Sequence, residues 1–435
     1  MCTQPITENL GNWCSRASVP SDKLCCKGLG RQPMEYPTMF EHDASIPEAA
    51  PEISSALRTG TRRRNANAAA HPSKPTSPTA ISLFSGGGGL DIGVEQAGFR
   101  TLFCVEVDPH ACETLKRNQP KYLGAATVLN TDVRSVSPKS MMKSAGMVVG
   151  DLDLLYGGPP CQTFSQIGKQ DSLGDDRGML LFEMVRFAKC FRPKVVLVEN
   201  VKALSSAKDL RGVKGGVLSS LLTDFKKLGY RTYTKVLNAA DYGVAQLRER
   251  LFIVAVRPGL SFEFPVPSHG DEASNKRTTI RQALKGLRKP AGRDRRDAKN
   301  NHVDVTPEGD KHRISYVSEG SYLAAADAPQ DIKGRLTRKD TTKFLRLAFN
   351  GQSKTLRCGE IFFHPTENRY LTPREYMRIH GYPNDYFLKG PIRGRSGSVR
   401  YLDQHRQVAN SVPPPVAKAV ASNVLAALAG SMPNG

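Results

Sequence analysis

From Ala80 onward, short apolar stretches alternate with segments of helical period, and this alternation restricts the fold more than any other feature of the chain. Ala80–Phe84, Thr101–Val107, Leu152–Tyr156, Lys194–Glu199, Arg231–Leu237 and Leu251–Val256 read as strands. Leu90–Ala97, Pro109–Arg117, Met179–Phe191 and Val217–Leu228 read as helices between them, and helical period returns at Thr372–His380 and Pro415–Leu428. Repeated β-α-β units bury both faces of a mostly parallel sheet beneath helices, so an α/β, doubly wound fold is expected. Ligands of such sheets gather outside the carboxyl ends of the strands, which makes the loops following the strands the place to look for chemistry.

Two stretches fall outside this rhythm. Residues 1–79 carry few periodic apolar positions, and Thr61–Ala80 is rich in Pro, Ser, Thr, Ala and Arg, the composition of a disordered or poorly ordered extension. Residues 262–345 interrupt the alternation with prolines and mixed charge, and read as a smaller, irregular domain inserted into the α/β domain of 80–261 and 346–435. Within Lys276–Lys299 ten basic residues stand against Asp294 and Asp297. The whole chain has 62 Lys and Arg against 41 Asp and Glu, a net charge of +21, which favours a polyanionic partner because neutralised phosphates release their counterions. No apolar run approaches the roughly 20 residues of a spanning helix, and the first residues show no secretory signal. The nine cysteines form no C-x-x-C pair, so no metal site is expected and the thiols read as reduced.

Four loops carry candidate chemistry. Phe84-Ser85-Gly86-Gly87-Gly88-Gly89 follows a strand and opens a helix, and Glu106 ends the next strand, where a carboxylate can accept ribose hydroxyls. Together they point to a nucleoside-bearing cofactor, while the absence of G-x-x-x-x-G-K-[ST] argues against a phosphate-cradling loop. Gly157-Gly158-Pro159-Pro160-Cys161 places a thiol on a proline-stiffened loop beyond a strand end, a candidate nucleophile, whereas Cys104 and Cys190 read as core residues. Glu199 ends the following strand and can act as an acid or bond an exocyclic amine. In Gln246-Leu247-Arg248-Glu249-Arg250 the two arginines share one face if extended, and could hold an anion or a base carbonyl.

In this order the motifs resemble those of the DNA (cytosine-5)-methyltransferase family. Thr131-Asp132-Val133, Asp176-Arg177-Gly178-Met179-Leu180, Asp241-Tyr242-Gly243, Arg369–Glu375 and Gln407-Val408-Ala409-Asn410-Ser411-Val412-Pro413-Pro414 extend the resemblance from Ala80 to the C-terminus. Two departures are Ala409, where the family usually has Gly, and His380-Gly381-Tyr382-Pro383 in place of the commoner Gln-x-Phe-Pro. The resemblance implies S-adenosyl-L-methionine as cofactor. Phe84, Gly86, Gly88 and Gly89 would line its methionine and adenosine side, Glu106 would take the ribose and Val107 would pack on adenine. Asp132 would bond the adenine amine, Pro160 and Leu180 would complete the pocket, and Asn410, Ser411 and Val412 would close it. It further implies that Cys161 adds to C6 of a cytosine flipped from duplex DNA. Glu199 would act on N3 and the 4-amino group, and Arg250, with Arg248 beside it, would hold the O2 side.

By the same resemblance, residues 262–345 would be a target-recognition domain, and the partner would be double-stranded DNA bound by a monomer without a membrane. The compartment would be the cytoplasm and nucleoid of a prokaryote or the nucleus of a eukaryote. An RNA cytosine-5 methyltransferase of the same fold, acting on transfer RNA, is the nearest alternative, and a catalytically silent nucleic-acid-binding regulator is a second. Intact Cys161, Glu199 and Arg250 argue against the silent one, and whether a restriction enzyme accompanies the chain is not legible.

Overall fold

A computed structural model describes residues 77–160, 180–209, 211–292, 301–337, 339–340, 343–392 and 401–430. The N-terminal extension up to residue 76 and Cys161 lie outside the described residues. Seven strands form one sheet in the order β3-β2-β1-β4-β5-β8-β6. These are β1 (Thr79–Leu83), β2 (Arg100–Glu106), β3 (Thr127–Asn130), β4 (Leu154–Gly157), β5 (Val195–Val201), β6 (Arg231–Asn238) and β8 (Glu249–Val256). β7 (Gln246–Leu247) leaves this sheet and pairs with β9 (Ser353–Lys354). β3, β2, β1, β4 and β5 run parallel, and β8 lies antiparallel between β5 and β6. The strands read from the sequence are therefore present within two residues at each end, the ordinary uncertainty of element boundaries.

Alternate side chains of each strand go to opposite faces, which is how one sheet feeds two cores. Ile81, Leu83, Leu155, Val196 and Val198 pack under α4 (Leu180–Phe191) and α5 (Gly216–Lys227), with Phe187, Phe191, Leu221 and Phe225 in the same cluster. Ala80, Leu154, Tyr156, Val195 and Leu197 face the other way, against α1 (Gly89–Gln96) and the C-terminal helix α10 (Pro414–Leu428) through Val94, Val416, Ala417, Val420 and Val424. The C-terminal helix thus packs on the first helix, beside the first strand. α2 (Pro109–Arg117) follows β2, with Asp108 as N-cap accepting from the Ala111 N–H and Pro109 at its first position.

β3 and α3 (Pro138–Ser144) were not legible in the sequence. Thr127–Asn130 is an edge strand whose first three residues are only half-buried and whose last is exposed, so it lacks both the continuous apolar run of a central strand and a clean alternation. Cys104 is buried as expected, but Cys190 is only half-buried, so its reading as a core residue is corrected.

The described residues of segment 262–345 include short helices, α6 (Ile280–Leu284), α7 (Glu308–Ser315) and α8 (Gln330–Lys333). Ile280, Leu284, Ile314, Val317 and Leu323 join one cluster with Phe362, Phe363, Leu371, Tyr376, Met377 and Tyr386. This core is therefore shared with α9 (Pro373–His380), whose N-terminus is fixed by a Thr372–Glu375 capping box and by the bidentate Arg369–Glu375 pair.

Candidate active site

Strand order reverses between β1 and β4, the switch point at which the loops after both strands diverge and leave a crevice. Phe84, at φ 58°, begins the loop after β1, and Gly88, at φ 81°, is the N-cap of α1. Beneath the loop lies a buried polar group. The Ser82 and Ser85 hydroxyls are 2.8 Å apart, and the Tyr156 hydroxyl donates to Asp91 at 3.1 Å. Burial raises the Asp91 carboxyl above its ordinary range.

Glu106 stands at the end of β2, 8% exposed, with Oε2 accepting from the Gly86 N–H at 2.7 Å and Oε1 from the Asp108 N–H at 2.8 Å. Each oxygen keeps a second acceptor position. Burial raises its pKa, and those backbone donors oppose the rise. Val107, the next residue, is 63% exposed although both its neighbours are buried. An apolar side chain held out between two buried carboxylates presents a platform for a flat ring. Above Gly86 there is open space, since a Cβ built there meets nothing within 4 Å.

Gly89 explains how the C-terminal segment reaches this crevice. A Cβ at that position would lie 2.2 Å from the Val412 carbonyl and 3.0 Å from the Ser411 side chain, so only glycine permits the approach. Ser411 and Val412 are buried there and Asn410 is exposed, its side-chain oxygen accepting from the Cys358 thiol. From behind, the Tyr382 and Tyr386 hydroxyls both donate to the Gly87 carbonyl, at 3.2 and 3.1 Å. The tyrosine that replaces the commoner Phe at 382 thereby adds a bond that Phe cannot make. Asp132 caps a 3-10 turn, and its carboxylate is engaged by the Arg134 backbone and guanidinium, which hold it below the usual range. Leu180 opens α4, half-buried, and Pro160 is exposed at the end of the described part of its loop.

On the β4–β5 side, Glu199 is 7% exposed. Its Oε1 pairs with Arg250 Nε at 2.9 Å, and a Cβ on Gly158 would come within 3.0 Å of its Oε2, so the loop leading to Cys161 passes directly over the carboxyl. Asn200 Nδ2 holds that loop through the Pro159 carbonyl at 3.1 Å. Nothing in the sequence spacing foretells that the Asn200 side chain turns back on the preceding loop. Burial raises the Glu199 pKa, opposed chiefly by Arg250 and then by Arg248. Buried ion pairs are weak devices for stability, so a carboxylate kept here beside a strand end is better explained by chemistry than by folding.

Arg248 requires a correction. The sequence places it beside Arg250 on the same task, but its guanidinium is 1% exposed and spent on main chain. Nη2 donates to the carbonyls of Ala409 at 2.6 Å and Ser411 at 3.0 Å, and Nη1 to that of Leu356 at 3.3 Å. The cause is the break between β7 and β8. Gln246 and Arg248 turn toward the C-terminal segments, while Arg250, two residues on, lies inside the main sheet opposite Val201.

The fold and these loops define an α/β enzyme with an open crevice at its switch point and a buried acid–arginine pair between β5 and β8. Residues 79–426 match the C-5 cytosine-specific DNA methylase family. The type II methyltransferase M1.HphI of Haemophilus parahaemolyticus is 32% identical over 355 residues, covering 80% of this chain and 87% of that protein. M.Eco47II of Escherichia coli is 34% identical over 364 residues, covering 80% and 78%. Among solved structures, one from E. coli described as a DNA modification methyltransferase encoded within a prophage superposes with a TM-score of 0.61 at 23% identity, over 81% of this chain and all of that one. The chain belongs to the C-5 cytosine-specific DNA methylase family, and its activity is cytosine-5 methylation of DNA, as in the type II methyltransferases. The family generally uses S-adenosylmethionine. No helix among the described residues is long and apolar enough to cross a membrane.

Proposed function

We propose that the methyl donor is S-adenosyl-L-methionine, bound over Val107 with its ribose on Glu106, and that Cys161, Glu199 and Arg250 carry the reaction on a cytosine flipped out of duplex DNA. The observation that carries this reading is the buried Glu199–Arg250 pair beneath Gly158, on the loop that runs into Cys161. When bound, the cofactor supplies an electrophilic methyl group.

C5 of cytosine is a weak nucleophile. Addition of the Cys161 thiolate to C6 makes C5 an enamine-like carbon, and loss of the C5 proton after methyl transfer expels the thiolate, so one hard step becomes two easier ones. A carboxyl with a raised pKa is suited to keep a proton for N3 while charge enters the ring. Arg250, held by Glu199, offers its remaining donors to O2. Phe84, Gly88 and Gly89 frame the crevice, and Asn410, Ser411 and Val412 close it. Asp132 would reach the adenine amine only by sharing its carboxylate with Arg134.

Glu106→Ala should raise the KM for the cofactor about tenfold or more and leave kcat at saturation nearly unchanged, because ribose contacts are made equally in ground and transition states. Steady-state kinetics with varied cofactor decides it, and an unchanged KM would sink the ribose assignment.

We infer that segment 262–345 selects the target sequence. A pocket that takes one flipped base cannot read its neighbours, so base-edge contacts must come from another element. Lys285, Arg288 and Lys289 are exposed, whereas Arg277 pairs with Asp241 and Arg281 bonds Asn350. Neutralising the exposed three should weaken binding to all DNA sequences alike and lower the salt dependence by about three phosphate contacts' worth of slope. Binding titrations at several salt concentrations test this, and a loss confined to one sequence would contradict it.

A further inference from the structure

The Ser411 carbonyl receives two buried side-chain donors, Arg248 Nη2 at 3.0 Å and His380 Nε2 at 3.1 Å. The other ends of these side chains converge as well. His380 Nδ1 lies 2.9 Å from Gln246 Nε2, whose amide oxygen accepts from the Leu356 N–H at 3.0 Å, while Arg248 Nη1 donates to the Leu356 carbonyl. Gln246 can only donate through Nε2, so His380 carries its proton on Nε2 and accepts at Nδ1. Gln246, Arg248 and His380 are each at most 1% exposed. A guanidinium buried without a carboxylate in hydrogen-bond contact is costly, and here three main-chain carbonyls are what offset it. Two of these carbonyls, on Ala409 and Ser411, flank Asn410, and the second precedes the Val412 that meets Gly89. Two residues on, at the start of β8, stands the Arg250 that pairs with Glu199.

We propose that Arg248, seconded by His380, is a positioning residue that locks the Asn410–Val412 segment against the glycine loop and fixes it to the strand carrying Arg250, so that one side chain sets the cofactor crevice and the base-binding pair in common register. The proposal rests on the reading that this segment closes the cofactor crevice. Asn410–Val412 is distant in sequence from the Gln246–Arg250 stretch, and Arg248 spans 161 positions to reach Ala409 and 163 to reach Ser411. Lysine cannot replace it, because one ammonium lacks the planar fork that spans Ala409, Ser411 and Leu356 together.

The test uses the full chain with Arg248→Lys, Arg248→Met and His380→Leu. Thermal melting and affinity for a DNA duplex report whether each variant folds. Calorimetry gives the Kd of S-adenosylmethionine, and saturating kinetics give kcat. The expected result is a cooperative melt and unchanged duplex affinity. With them should come a cofactor Kd raised about tenfold or more in both Arg248 variants, since each charge-assisted bond lost is worth about that factor, and a kcat lowered by a similar factor. His380→Leu should move Kd the same way by a smaller factor and spare kcat more, because it does not touch the strand of Arg250. An unchanged cofactor Kd in a folded Arg248 variant overturns the proposal, as does a Kd that rises with no change in kcat. If neither Arg248 variant folds, His380→Leu decides alone, and an unchanged Kd there overturns the shared lock. Glu106→Ala separates the two layers. If it too leaves cofactor Kd unchanged, the assignment of the crevice has failed, and if it alone weakens binding, only the lock has.

Discussion

Cys161→Ala should lower methyl transfer by at least about 10⁴-fold, the order of loss when a covalent nucleophile is removed, while the cofactor Kd stays within about twofold. The asymmetry follows from the chemistry. The thiol is needed only where it bonds C6, and at 1.36 kcal/mol per tenfold the missing covalent step is worth about 5 kcal/mol or more of barrier. The crevice proposed for the cofactor is built from Glu106, Val107, Gly86 and the Ser411 segment and does not depend on that sulfur. Duplex containing 5-fluorocytosine should trap wild-type protein as a denaturation-resistant adduct, because fluorine cannot leave as a proton, and should trap none of the variant. Tritium transfer and a denaturing gel suffice. Residual turnover in Cys161→Ala, or no adduct with wild type, would remove the nucleophile from the mechanism.

The second large effect is at Glu199. Glu199→Gln should reduce kcat by about 10²–10³-fold, inside the range general-acid catalysis contributes. Its sign with pH is fixed by the environment. Burial raises the carboxyl pKa, and Arg250, then Arg248, pull it back only in part. The proton is therefore kept to higher pH than on a solvated glutamate, and wild-type kcat should fall as pH climbs through the shifted value. Glutamine bonds without titrating, so the residual activity of the variant should lose this alkaline limb. Because the substitution also leaves Arg250 without its anion, melting curves should accompany the pH–rate profile. A variant that keeps the same alkaline limb would assign the limb to another group.

What the sequence determined by itself is local. Most strands and helices from Thr79 to Val256, though not β3 or α3, could be read because central strands buried on both faces must be continuously apolar, and helices covering them must be amphipathic. The loops after β1, β4 and β5 could be read because a tight turn, a rigid proline pair and a strand-end carboxyl each need particular residue types at fixed offsets. The edge strand β3 escaped for the same physical reason, since half-buried positions impose no strong pattern.

What only the tertiary structure decided is where distant segments meet. Tyr386 reaches the Gly87 carbonyl across 299 positions, and Val412 presses on Gly89, contacts no spacing rule encodes. The division of labour between Arg248 and Arg250 is the sharpest instance. Two arginines with the same period and nearly the same neighbours part company because β7 leaves the sheet before β8 enters it. One guanidinium is left among main-chain carbonyls and the other beside Glu199. Side-chain periodicity fixes the face a residue presents, but the partner on that face is set by packing among elements remote in the chain.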